Sequence, residues 1–271
     1  MIAGKTLREI RWMALVYLLL LEGLAIPTIL LWPDIYADLQ RSTLFKNLGV
    51  DWLKRIGEAV SSKDTNVAYV NWAAVMLFFR STNLVGIAAA VLLGTGMFAR
   101  EREAQTFEFL LSRPVSRAAI LWQKFWPSAL ACVLPIYLVS LSAIPWSRHI
   151  DENLPLGPLL LASSHAAAFV LLFLSFTAWI SVQCRVQAHV AFWVGGLTVL
   201  QIGIYLTQRI RQYSIFRLAD FDWYGPILAG NLRAEQMFDP VHGPGFTTYV
   251  LGGALLCYGL AHRALHRTQL A

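Results

Sequence analysis

Six long runs of apolar side chains, at 12–32, 76–98, 125–145, 157–182, 190–207 and 247–262, set the first limit on how this chain can fold. A helix needs roughly 20 residues to cross about 30 Å of hydrocarbon, and each run reaches or approaches that length. The 271 residues are 57% hydrophobic and 14% charged. A soluble domain carries roughly 25% charge, so too little polar side chain remains here to cover a water-exposed surface. The expected fold is all-α: a single polytopic domain with six transmembrane helices. The first run is too long for a signal-peptide core. It is followed by Trp32-Pro33-Asp34 rather than a small-residue cleavage site, so it is expected to persist as an anchor.

The charges orient these spans. Lys5, Arg8, Arg11, Arg100, Arg102, Arg113, Arg117, Lys124, Arg185, Arg263 and Arg267 all fall on one side if the N-terminus is placed inside. The same segments carry only the acids Glu9, Glu101, Glu103 and Glu108. Short basic loops belong on the cytoplasmic side. Both termini are therefore expected in the cytoplasm, in a bacterial inner membrane or plasma membrane. Trp12, Trp32, Trp122, Trp126 and Trp146 stand at block ends, where an aromatic belt would lie. The net charge of +6 is spread over block ends rather than gathered on one arm or helix, which argues against a nucleic-acid partner. Cys132, Cys184 and Cys257 read as small buried hydrophobes, and neither they nor the six histidines show metal-ligand spacing.

The connection between the second and third spans holds the strongest signal. It runs GTGMFAREREAQTFEFLLSRPVSRAAILWQK from Gly94 to Lys124, where a helical hairpin needs only a few residues. Phe107, Leu110 and Leu111 fall at i, i+3 and i+4 and predict one apolar face on a short helix, with Glu103, Glu108 and Arg113 around it. Pro114 stops that helix and a new one starts near Ser116. Arg117 then sits in a first helical turn, against the helix dipole. A lipid phosphate or a partner's carboxylate would offset the cost, or Arg117 is simply an inside anchor. Lys124, beside Trp122 and Trp126, reads as snorkelling to head groups.

This stretch resembles the signature of type-2 ABC exporter permeases. That family carries an acidic pair after its second span, then Gly-Thr, a Leu-Leu helix, Pro-Val-Ser-Arg and a Lys. The matching residues are Glu101, Glu103, Thr106, Glu108, Leu110-Leu111, Pro114-Val115-Ser116-Arg117 and Lys124; Gln105 stands where the family usually has Gly. The resemblance implies that 105–112 is a coupling helix, within a loop 99–117 that docks on a cytoplasmic ABC ATP-binding subunit. It implies a dimer of permease subunits, identical or different, and an exporter. The helix over 5–11 resembles the family's amphipathic connecting helix. The segment between spans five and six resembles its outer re-entrant hairpin. The chain has no GxxxxGK[ST] phosphate loop, so ATP is expected on the partner, and no cofactor or enzymatic activity is expected on this subunit.

Two polar groups fall deep inside the spans. Glu22 and His165 come to similar depth near the midplane, where an ionisable group must be paired, neutral or facing a cavity. The two could pair, either proton-linked on a substrate path or through an interhelical hydrogen bond that only fixes packing. Two other functions remain alongside transport: a membrane scaffold or immunity protein of the same fold, and an intramembrane enzyme using Glu22, His165 and Ser163 or Ser164.

Overall fold

The structure is a computed structural model that describes residues 2–41, 51–112, 114–241, 243 and 245–267. Among the described residues every regular element is helical. Five helical stretches are long and apolar enough to cross a membrane: Gly4–Leu30, Thr65–Glu103, Arg117–His149, Leu156–Gln183 and Gln187–Leu206. The last run of the sequence forms α13 (Phe246–Arg267), which is long enough at about 33 Å. Its apolar part is cut short by His262 and Arg263.

α1 (Ile2–Leu30) is continuous. The amphipathic helix expected over 5–11 is therefore not a separate element but the first turns of the first span. Charge on one end of a helix does not break it. α2 (Trp32–Arg41) follows after one turn residue, and α3 (Asp51–Val60) is the next described element.

The second span is the least regular. α4 (Thr65–Ala73) starts at Asp64, whose carboxylate accepts the amide N–H groups of Asn66 and Val67. It runs into a π-helical stretch, Ala74–Asn83, and then into α5 (Leu84–Thr95). Ser81 and Thr82 donate their hydroxyls to the carbonyls of Met76 and Leu77, five residues back, at 2.7 and 2.6 Å. The second span thus changes helix type over Ala74–Asn83, where the 76–98 run begins.

α8 (Arg117–His149) is the longest helix, α9 (Leu156–Gln183) is nearly the length of α1, and α10 (Gln187–Leu206) follows. α9 is the centre. Its small and apolar side chains are buried along its whole length against α5, α8 and α13, while α1 packs on α8. Gly86 and Gly94 make the α5–α9 contact close, since a Cβ on Gly86 would stand 2.6 Å from Val170 Cγ2 and one on Gly94 2.7 Å from Thr177 Cβ. Small residues are how helices approach within a membrane, where no hydrophobic gain separates lipid from protein.

Trp32 departs from the belt expected of it. It is 1% exposed, packs on Tyr36, Tyr69 and Trp72 at 5.2–5.7 Å, and donates its indole N–H to Glu152 at 3.2 Å. Its polar end has found a protein partner, so it needs no head group. Trp12, Trp122 and Trp146 keep exposed faces.

Between α10 and α13 the chain does not simply loop outside. Two short 3₁₀ turns, Arg211–Tyr213 and Ile215–Ala219, lead to α11 (Phe221–Leu228) and α12 (Ala234–Phe238). The Leu218 carbonyl lies 2.6 Å from His165 Nε2, about 14 Å along α9 from its start. Asn83 joins the same layer, donating to the Ala219 carbonyl at 3.0 Å and accepting from the Tyr224 hydroxyl at 3.0 Å. The segment therefore packs back between the ends of the spans.

Candidate functional site

The site is built at the basic end of the bundle, where the second span turns into the third. A turn at 96–98 separates α5 from α6 (Ala99–Glu103), and α7 (Phe107–Leu111) follows. Buried turns leave backbone N–H groups without partners. Here Ser181 of α9 supplies one: its hydroxyl accepts from Phe98 N and Ala99 N at 3.1 and 3.0 Å and donates to the Thr95 carbonyl. Nothing in the sequence marks Ser181, because its partners are all backbone.

Glu101 is the hub. Its carboxylate accepts from Lys124 Nζ at 2.9 Å and from the Thr106 hydroxyl at 2.5 Å, with Lys5 Nζ at 4.0 Å. The Thr106 N–H also closes on the Glu101 carbonyl at 2.8 Å. Lys124 is buried, at 7% exposed, so it does not snorkel to head groups. It points inward from α8, beneath the Phe98 ring. Three separated parts of the chain, 5, 101–106 and 124, are thus tied at one carboxylate. The turn from α6 to α7 is held by Gln105 at φ +57°, in the left-handed region that glycine favours.

The short helix is turned differently from the sequence expectation. Phe107 and Leu110 are both 8% exposed and belong to the main core. Phe107 meets Phe98 edge-on at 6.5 Å, and the Arg102 guanidinium lies 4.6 Å over its ring. The i, i+3 face is apolar because it seats the helix on its own bundle. The free aromatic is Phe109, 75% exposed, beside exposed Glu108. The side chain of Leu111, and Arg113 altogether, lie outside the described residues. Pro114 is exposed just after.

Glu103 does not stand on a free rim. Its carboxylate accepts from Gln187 N and Nε2 at 3.3 and 3.2 Å, at the N-terminus of α10, where an anion complements the helix dipole. Arg117 needs neither lipid nor partner to offset its position. It donates to the carbonyls of Leu265 and His266 at 3.0 and 2.7 Å, closing the negative end of α13. Ser116, just before it, caps α8 by accepting from Ala119 N.

Within the spans Glu22 and His165 do not pair with each other. Glu22 accepts from the Ser142 hydroxyl at 2.9 Å. His165 is 1% exposed, with Nδ1 2.9 Å from the Thr247 hydroxyl and Nε2 on the Leu218 carbonyl. Each found a nearer partner on a different helix. Ser163 and Ser164 bond elsewhere, to Ser140 and Tyr137, so these groups do not converge on a reacting centre.

A helical bundle of long apolar spans, closed at one end by a charged clamp around a short helix, defines an all-α, multi-pass membrane protein. Residues 9–208 match the family described as ABC-2 family transporter protein, and the chain belongs to that family. No curated protein matches the chain. Membership makes it a membrane permease subunit of an ABC transporter and implies association with an ABC ATP-binding subunit.

Proposed function

We propose that this permease is the membrane-spanning subunit of an ATP-driven exporter and that a second permease subunit, identical or related, completes the translocation path. A separate cytoplasmic ATP-binding subunit binds and hydrolyses the ATP and drives this chain through the loop 99–117. The chain sits in a bacterial inner or plasma membrane with both termini and this loop on the cytoplasmic side. It needs no cofactor of its own.

The observation that carries this reading is the clamp. Glu101, Thr106 and Lys124 hold a five-residue helix that could not be stable alone. They seat its inner face on the bundle and leave Phe109 and Glu108 outward. Force applied at Phe109 passes through Glu101 to α8 and α1. An exposed aromatic with an acidic neighbour on a fixed helix is the form of an interface anchor.

The partner is the ATP-binding subunit that co-purifies with the wild-type chain. Phe109→Asp should weaken that co-purification about thirtyfold, as loss of an anchor of at least 2 kcal/mol requires. It should abolish stimulation of the ATPase and leave insertion intact. If Phe109→Asp binds the subunit at wild-type affinity, α7 is not the coupling element.

A further inference from the structure

Between α9, α10, α13 and the 3₁₀ turns lies a half-open chamber of about 660 Å³ lined by Leu172, Phe173, Phe176, Leu197 and Phe246. Its volume is that of sites that bury small organic ligands. At one end the wall changes character. Gln212 and Arg217 line this chamber and also a second cleft of about 320 Å³, so the two spaces meet at these side chains.

The cleft is charged and unbalanced. Arg55, Arg211 and Arg217 face Asp220 and Asp222 there. Arg55 lies 3.4 Å from Asp222, and Arg211 pairs with Asp220, which also accepts from the Tyr205 hydroxyl at 2.6 Å. Arg217 forms no ion pair among the described residues. Its planar fork of N–H donors, suited to a phosphate or carboxylate, stands where the apolar chamber opens.

The direction of the chamber fits a lipid. The charged cleft is lined by Gln208, just past the end of α10 that lies away from the clamp, and by Asp222 in the first turn of α11. Leu172 and Phe176 lie about 10 and 16 Å beyond His165 along α9 toward the clamp. A chain anchored at Arg217 therefore points inward from the end opposite the clamp.

We propose that this site binds one anionic amphiphile of the membrane, its acyl chain in the chamber and its anionic head on Arg217. The proposal does not depend on the coupling loop or on transport.

The test uses the full chain in phosphatidylcholine nanodiscs with two probes. Both carry the same diazirine-tagged acyl chain, one on phosphatidylglycerol and the other on phosphatidylcholine. Photolysis should label peptides containing Phe176 and Leu197 about tenfold more with the anionic probe, the scale of one charge-assisted contact. Arg217→Gln should reduce that labelling to the phosphatidylcholine level. Arg217 is exposed, so this variant should fold, and an unchanged size-exclusion profile checks it. Leu197→Trp, which fills the chamber, should reduce labelling by both probes. Equal labelling by the two probes, insensitive to Arg217→Gln, would mean ordinary lipid contact and overturn the proposal. So would absence of chamber labelling because a second copy of the chain covers it. Displacement of the probe by free glycerol phosphate would mean an anion site without a tail, which also overturns it.

Discussion

Lys124 is a cation with 7% of its surface exposed, and it is answered by a single carboxylate at 2.9 Å. Removing one member of a buried pair costs about 3–5 kcal/mol, because the other is left charged and unpaired. Glu101→Ala should therefore lower stability by at least ~3 kcal/mol, and adding Lys124→Met should recover much of it. Thermal unfolding of the detergent-purified chain measures both; equal melting temperatures for the single and double variants would contradict the pairing. Gln105 presents a smaller and opposite case. At φ +57° an L-residue carries about 1 kcal/mol of strain, which glycine would relieve while losing a similar amount in unfolded-chain entropy. Gln105→Gly should shift stability by less than about 1 kcal/mol, whereas Gln105→Val, with a branched Cβ, should lose about 1–2 kcal/mol. The same melting assay reads both. A glycine would take this turn without strain, and Gln105 takes it at some cost.

Helices pack here by what they leave out as much as by what they present. Gly86 lets α5 lie against α9, and a methyl there would meet Val170 Cγ2 at 2.6 Å. Gly86→Ala should cost about 1–3 kcal/mol by overpacking. Val170→Ala should restore part of it by removing the clashing carbon, although Tyr17 Oη at 3.1 Å still constrains the site. If Val170→Ala only adds to the loss, the contact is not the cause. This level also separates what the sequence carries plainly from what it does not. Apolar run length places every long helix, because a bilayer demands it. The motif from Glu101 to Arg117 marks the loop, because charges and a proline punctuate it. The facing of α7 is not legible: an i, i+3 apolar face looks the same whether it meets a partner or its own bundle. Nor is the π-helical stretch, since Ser81 and Thr82 act through backbone carbonyls that no side-chain pattern announces. Glu22 and His165 share a depth, but depth is one coordinate, and rotation about each helix sent them to Ser142 and Thr247 instead.

At the scale of the whole molecule the two ends differ in chemistry. One end gathers Lys5, Glu101, Glu103, Lys124 and Arg117 into a clamp that joins α1, α6, α8, α10 and α13. The other folds the segment after α10 back against His165 and Asn83. α1 and α10 keep broad apolar faces outward, among them Leu19, Leu20, Phe192 and Leu200, which lipid or a second permease subunit would cover. The proposed orientation of the two ends rests on charge. The basic loops are short and lie at the clamp, and translocating them is disfavoured. In a background with Cys132, Cys184 and Cys257 replaced, single cysteines at Ser112 and Val241 probe the two ends. Both positions are exposed, Val241 at 79%. An impermeant maleimide should label Val241→Cys in intact cells and Ser112→Cys only after the membrane is opened. Labelling of Ser112→Cys in intact cells would invert the topology. The clamp would then face away from any cytoplasmic ATP-binding subunit, so the coupling reading would fall with the orientation on which it stands.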